Sequence, residues 1–140
     1  MEINFEKVMG TSEQVHNLFG LLRERQFNIS HFVLPSFLEH TEFVINHPYR
    51  AWYLVKEADL VVGSIYITDH NTIGLYLKNT KKAIVQGCLS FVLQNYFPLP
   101  PIRSIRAQNF SVNVPVDHFE LNNIMKDLEW KAVQITHSLL

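Results

Sequence analysis

Glycine is scarce in this sequence, five in 140 residues, and none falls in LKNTKKAI at positions 77–84. That stretch joins a strand-like run to a helix-like one, which is where α/β proteins hold phosphates on unpaired helix-start N–H groups. A glycine-lined cradle is therefore excluded, because Lys81, Lys82, Ala83 and Val85 stand where glycines would be expected. Cysteine is scarcer still. Cys88 is alone, so an internal disulfide is excluded and a reducing compartment is expected. The opening MEINFEKVMG has neither the basic start nor the apolar run of a signal peptide, and cytoplasmic placement is the expectation. No run approaches ~20 uninterrupted apolar residues, which excludes a membrane-spanning helix and makes a membrane partner unexpected. Charge is also sparse. With 18% charged residues, a formal net charge of −1 and no basic cluster, the chain offers a nucleic acid no attractive field.

What is present is apolar and aromatic side chain, 47% and 12% of the residues. A chain of this length fits one domain, 1–140, and buries roughly 68–70% of its unfolded surface, enough for a core without staples. The first residues, to Val8, alternate as a strand. Thr11 or Ser12 then caps a helix in which Val15, Leu18, Phe19 and Leu22 recur at helical spacing until about Arg25. Residues 28–34 fit no single element. Pro35-Ser36 opens a second helical stretch, and Asn46-His47-Pro48 stops it, because the residue before proline is pushed from helical geometry. Residues 51–56, 60–68 and 72–77 are strand runs separated by turn signals, an antiparallel meander. Helical spacing over 81–97, a strand over 102–110, a helix over 119–128 and a strand over 130–137 complete the order. This predicts an α/β (α+β) domain: a mixed, mostly antiparallel twisted sheet with helices on both faces and a right-handed parallel crossover from the fourth strand to the fifth.

The segments EHTEFVINHPYRAWYLVKEADLVVGSIYIT, NTIGLYL and NNIMKDLEWKAVQITHSL resemble the GNAT N-acetyltransferase superfamily, over a region running from about Phe37 to Leu139. NHPYRAWYLV is the most distinctive part and looks like members that acetylate amino sugars in bacterial surface-glycan and flagellin-glycan pathways. The resemblance implies a splayed fourth and fifth strand and an acetyl-CoA site between them. Main-chain groups of Leu75, Tyr76 and Leu77 would bond the pantetheine arm, and the turn Thr80, Lys81, Lys82, Ala83 to Val85 would hold the diphosphate. The superfamily pattern at that turn (Gln or Arg, two residues, Gly, one residue, Gly or Ala) falls on Thr80 to Val85 and has lost its long polar side chain and its glycines. The two lysines favour an anion; the branched Val85 opposes one. The Tyr that many members use as an acid corresponds to Met125, and the usual Gly-Phe pair reads Glu129-Trp130.

Acetyl transfer needs a neutral amine, hence a base or a water chain. His40, Glu42 and His47 are the candidates, on the expected acceptor side; the bland alternative for each is a surface or capping residue. Tyr49, Arg50 and Trp52 are the candidate acceptor-binding residues, since aromatic platforms suit sugar rings and uracil, against core packing as the commoner fate of a strand aromatic. Alternation puts Trp52 and Tyr53 on opposite faces. Cys88 falls on the apolar face of its helix and reads as core. No metal-ligand spacing joins the histidines, so no metal is expected. Two functions stay open, with a small-ligand binder that uses the split sheet as a pocket as a weaker third. One is an acetyl-CoA-dependent N-acetyltransferase for a small amine, an amino-sugar nucleotide being the favoured acceptor; the other is a non-catalytic module of the same shape that has lost its cofactor loop and binds a partner. The reading leans to the enzyme, and the sheet's open edge leaves room for a homodimer.

Overall fold

The computed structural model describes residues 2–25 and 33–139; of the ambiguous stretch 28–34, residues 28–32 lie outside the described residues, as do Met1 and Leu140. The elements are β1 (Ile3–Lys7), α1 (Ser12–Glu24), α2 (Phe37–Ile45), β2 (Ala51–Glu57), β3 (Leu60–Ile67), β4 (Thr72–Leu77), α3 (Lys82–Asn95), β5 (Ser111–Val112) and α4 (Phe119–Asp127). They form one five-stranded sheet in chain order, antiparallel from β1 to β4 and parallel between β4 and β5. The expected mixed, mostly antiparallel sheet with its parallel crossover is what the chain adopts.

Local chemistry sets the first helices. Thr11 accepts the Gln14 N–H while the Gln14 side chain returns to the Thr11 N–H, and Ser36 and Glu39 do the same for α2. Each such capping box holds its helix start by about 1 kcal/mol. The side chain of buried Gln14 also accepts from Met9 and Gly10 and donates to Glu6 and the Lys7 carbonyl, which ties β1 to α1.

Strand alternation then sorts the core into two layers. Helices α3 and α4 pack Ile84, Val85, Cys88, Val92, Leu121 and Ile124 against Val55, Ile65, Ile67 and Ile73. On the other face, α1 and α2 pack Val15, Leu18, Leu21 and Val44 against Trp52 and Leu54, with Tyr49, Tyr66 and Tyr76 beside them. The pleat separates Trp52 from Tyr53, as alternation requires.

Two expected strands are corrected. Residues 102–110 form no ladder: Ile102 and Arg106 exchange both main-chain hydrogen bonds around Ser104 at φ +65°, and the Arg106 guanidinium holds the Pro100 and Asp69 carbonyls. The segment bonds to itself and to the β3–β4 turn, so the parallel strand begins only at Ser111. Among the described residues, 130–137 also form no strand, and 131–139 are exposed throughout. Their alternation favours a strand, but a strand needs a ladder partner, and nothing in the described body supplies one.

A buried side chain also ties the loop between α3 and β5 to the sheet. Asn71, fully buried at φ +62°, donates to the Leu99 and Ala107 carbonyls and accepts from the Leu99 N–H, while its own carbonyl accepts from Ser111 N–H.

Candidate functional site

Strand β4 is paired along β3 from Ile73 to Leu77 but meets β5 only at Thr72 and Ile73. Beyond Ile73 the two strands part. Main-chain bonds alternate sides along a strand. The Lys78 N–H bonds Val62 and Thr72 bonds Thr68 on the β3 side, whereas Asn71 bonds Ser111 on the β5 side. By that alternation Leu75 and Leu77 turn their N–H and C=O into the splay, and Tyr76 turns its own toward Ser64. The Tyr76 side chain lies on the α1/α2 face, with the Arg25 guanidinium 5.5 Å from its ring centre.

The splay opens onto the start of α3. Lys81 is the cap residue and supplies no side-chain bond; its carbonyl takes the N–H groups of Ile84 and Val85. Among the described residues the N–H groups of Lys82 and Ala83 have no acceptor, which leaves donors and the positive end of the helix dipole facing outward. Lys81, Lys82 and Ala83 are exposed. Val85 is not in the way, because its side chain is fully buried in the α3/α4 core. Met125 is core as well.

A residue that sequence reasoning passed over stands across this opening. His118 caps α4, its Nδ1 taking the Leu121 N–H at 3.4 Å, and its Nε2 lies 3.4 Å from Thr80 Oγ1. With Nδ1 accepting, the proton sits on Nε2 and is donated to Thr80. Burial lowers the His118 pKa, which the nearby Glu120 and Asp117 partly offset. The available signal was a histidine directly preceding an amphipathic helix start, a side chain able to cap.

On the α1/α2 face, Tyr49 stacks on Tyr66 with centroids 3.9 Å apart, and Trp52 meets Tyr49, His47 and Phe43 edge to face. The Tyr66 ring lies so close over Gly74 that a Cβ there would sit 2.0 Å from it. Burial and the neighbouring Tyr66 raise the Tyr49 pKa far above its ordinary value. Arg50 is not part of this group. Its guanidinium donates to the Phe97 carbonyl at 2.8 Å and stacks on Tyr96, whose hydroxyl bonds Tyr53 on the opposite face.

The three base candidates also separate. Glu42 is on the exposed side of α2, and His40 is buried one turn from buried Val44. His47 accepts the Tyr49 N–H on Nδ1 at 3.2 Å, so its Nε2 carries the proton. Burial lowers the pKa of both histidines, offset at His40 by a hydrogen bond to the Val15 main chain. Buried His40 Nε2 and Trp52 Nε1 are without a partner among the described residues. Cys88 is fully buried with its thiol pushed up to about 12, an inert core residue. Among the described residues no three His, Cys, Asp or Glu side chains gather to hold a metal, and no helix is long and apolar enough to cross a membrane.

No family model matches the chain, and no curated protein does. Solved structures do resemble it. The structure of AAC(6')-Iy in complex with the bisubstrate analog CoA-S-monomethyl-acetylneamine superposes with a TM-score of 0.60 at 7% identity, covering 100% of this chain and 98% of that one. A possible acetyltransferase from Clostridium difficile 630 gives 0.56 at 11% identity, covering 99% and 96%. At these identities the likeness speaks for the fold alone: the chain shares its overall fold with these two structures.

Proposed function

We propose that the chain is an acetyl-CoA-dependent N-acetyltransferase acting on a small amine, with an amino-sugar nucleotide as the favoured acceptor. The observation that carries this is the splay: β4 leaves β5 after Ile73, so the main-chain groups of Leu75 and Leu77 lead toward the unbonded N–H groups of Lys82 and Ala83. Those donors fit a CoA diphosphate, with Thr80, Lys81 and Lys82 adding a hydroxyl and two charges, and Val85 supporting the turn from within the core. Tyr76 contributes its ring on the other face of β4 and keeps its main chain in the ladder. The cofactor would supply an activated acetyl thioester.

The chain's own groups have distinct tasks in this reading. His40 stays sealed in the α1/α2 core, and exposed Glu42 takes the amine proton through water. His47, protonated on Nε2, and Glu42 at the rim orient the acceptor, and Tyr49 and Trp52 form its aromatic wall. Arg50, just ahead of β2, reaches Phe97 and Tyr96 and stands apart from that wall. His118 Nε2–H, beside Thr80, stands at the diphosphate end of the splay and orients the Thr80 hydroxyl there; His118→Phe is expected to weaken acetyl-CoA binding about fivefold, or ~1 kcal/mol, with kcat little changed.

The second reading, a non-catalytic module, is favoured by one observation: Trp52 is buried and Tyr49 spends one ring face on Tyr66. Calorimetric titration with acetyl-CoA separates the two. Micromolar binding is expected, weakened about tenfold, or ~1.4 kcal/mol, when Lys81 and Lys82 are changed together to Glu. An intact fold that ignores millimolar acetyl-CoA would leave only the module. Binding untouched by the double change would put the diphosphate elsewhere.

A further inference from the structure

Residues 97–103 read FPLPPIR and open the loop that runs from α3 to β5. Every position from Phe97 to Pro101 is a proline or directly precedes one. Proline locks its own φ near about −65°, and the residue before it is pushed to extended geometry, so five consecutive residues are set for a polyproline II helix. The body holds that segment in place. Arg50 donates to the Phe97 carbonyl, Asn71 donates to the Leu99 carbonyl and accepts the Leu99 N–H, and Arg106 donates to the Pro100 carbonyl. Each carbonyl keeps a second lone pair.

A polyproline helix turns once in three residues and so has three edges. One carries Phe97, Pro100 and, beyond Ile102 in its bridge to Arg106, Arg103; all three are exposed, Phe97 by 86%. The next carries half-buried Pro98 and exposed Pro101. The third starts at half-buried Leu99, whose main chain is the part fixed to Asn71. The arginines divide in the same way. Arg50 and Arg106 are engaged on carbonyls of the segment, whereas the Arg103 side chain has no hydrogen bond, ion pair or ring contact among the described residues.

We propose that residues 97–103 are a docking segment for a protein partner whose groove is lined by aromatic rings and ends in a carboxylate pocket, the kind of groove with which SH3 domains take proline-rich segments. The order P-x-x-P-x-R, from Pro98 through Pro101 to Arg103, presents Phe97-Pro98 and Pro100-Pro101 as two dipeptides for slots between rings. Arg103 is then the cation for the carboxylates, and its lack of a partner in the fold commits the groove to an acidic end. Binding is spared an ordering cost, because the fold has already set the segment. The place is compatible with an open splay: the six residues of β4 separate the Asn71 end from the turn at Thr80 by roughly 20 Å. The inference needs no acetyl transfer and stands apart from the transferase reading.

NMR titration of the intact, isotope-labelled chain with a purified SH3 domain that takes P-x-x-P-x-R peptides tests it. Half-saturation is expected at roughly 100 μM domain, with amide shifts centred on Phe97, Leu99, Ile102 and Arg103, since the prolines carry no N–H. Arg103→Glu, at an exposed side chain without contacts in the fold, is expected to weaken binding about tenfold and leave the rest of the spectrum unchanged. Lys131→Glu, the same charge change outside the segment, is expected to alter it by less than about twofold. No binding at millimolar domain, an Arg103→Glu chain that binds as well as the parent, equal losses from Arg103→Glu and Lys131→Glu, or shifts centred outside 97–103 would each overturn the docking segment.

Discussion

The two sides of β4 are held by different means. Toward β3 the strand is zipped over five consecutive pairs, one arm of a meander whose turns are local. Toward β5 it has two pairs and then nothing, and the long loop from α3 is held instead by side chains, buried Asn71 foremost, with Arg50 at Phe97 and Arg106 at Asp69. A ladder distributes its stability over many groups and closes the surface it occupies. A clamp concentrates stability in a few side chains and lets the strands diverge, which is what a site between them requires.

Removing the clamp is the most damaging change expected. Asn71→Leu leaves the Leu99 N–H and the Leu99 and Ala107 carbonyls unsatisfied in a buried place, at about 1–3 kcal/mol each before any relaxation, and asks a branched residue to hold φ +62°. A loss of about 4 kcal/mol in urea unfolding is expected, with amide exchange accelerating first over 98–112. If exchange instead accelerated evenly across β1 to β4, the clamp would not be specific to the β5 side.

A smaller loss is expected on the zipped side. Gly74→Ala drives a Cβ against the Tyr66 ring, which is itself stacked on Tyr49. Overpacking of this kind costs about 1–3 kcal/mol. The companion Gly74→Ala, Tyr66→Leu is expected to recover most of it; a pair no more stable than Gly74→Ala alone would mean that the strand needs glycine for its backbone and not for the ring.

The same contrast explains which parts were legible in the sequence. The meander could be read because its signals are local: Ala51–Glu57, Leu60–Ile67 and Thr72–Leu77 were bounded by turn residues within two or three positions of where the strands end. The capped starts of α1 and α2 were legible for the same reason. Residues 102–110 misled because strand-like side chains say nothing of Arg106 reaching back to Asp69, a contact across 37 positions. Residues 130–137 misled differently, since their pattern is that of a strand and no ladder partner stands beside them among the described residues. In the candidate site, the turn from Thr80 to Val85 was placed correctly at a helix start, but whether Val85 blocked it depended on which way α3 was rotated. The separation of Arg50 from Tyr49 and Trp52 follows from its reach to Phe97, and His118 meets Thr80 only through tertiary packing.

Glu129 sharpens the comparison by about 1 kcal/mol. It ends α4 at φ +68°, with its own N–H bonded to Lys126 and the next N–H to Met125. That is the left-handed helix stop normally given to glycine, and a side chain there costs roughly 1–2 kcal/mol. Glu129→Gly is therefore expected to raise stability by about 1 kcal/mol, less than the full strain because glycine also frees the unfolded chain. A destabilised variant would show that the carboxylate holds a contact outweighing the strain.

The smallest effect is expected from pH, and it belongs to the α1/α2 face. His40 is buried against Phe19 with its pKa lowered by desolvation below the ordinary 6.5. Between its folded value and 6.5, the unfolded chain binds a proton that the folded chain refuses. Stability must then rise with pH across that window and be lower throughout on the acid side. His47 and His118 are lowered in the same direction, so the wild-type slope contains all three. His40→Leu, close in volume and free of the proton, is expected to flatten the dependence of melting temperature between about pH 5 and pH 7. His118→Leu is expected to flatten it less, because His118 sits by the open splay with acidic neighbours that offset its shift. Equal flattening by the two would mean that the side of β4 with the splay is as dry as the side covered by α1 and α2, and the contrast between ladder and clamp would then not extend to solvent access.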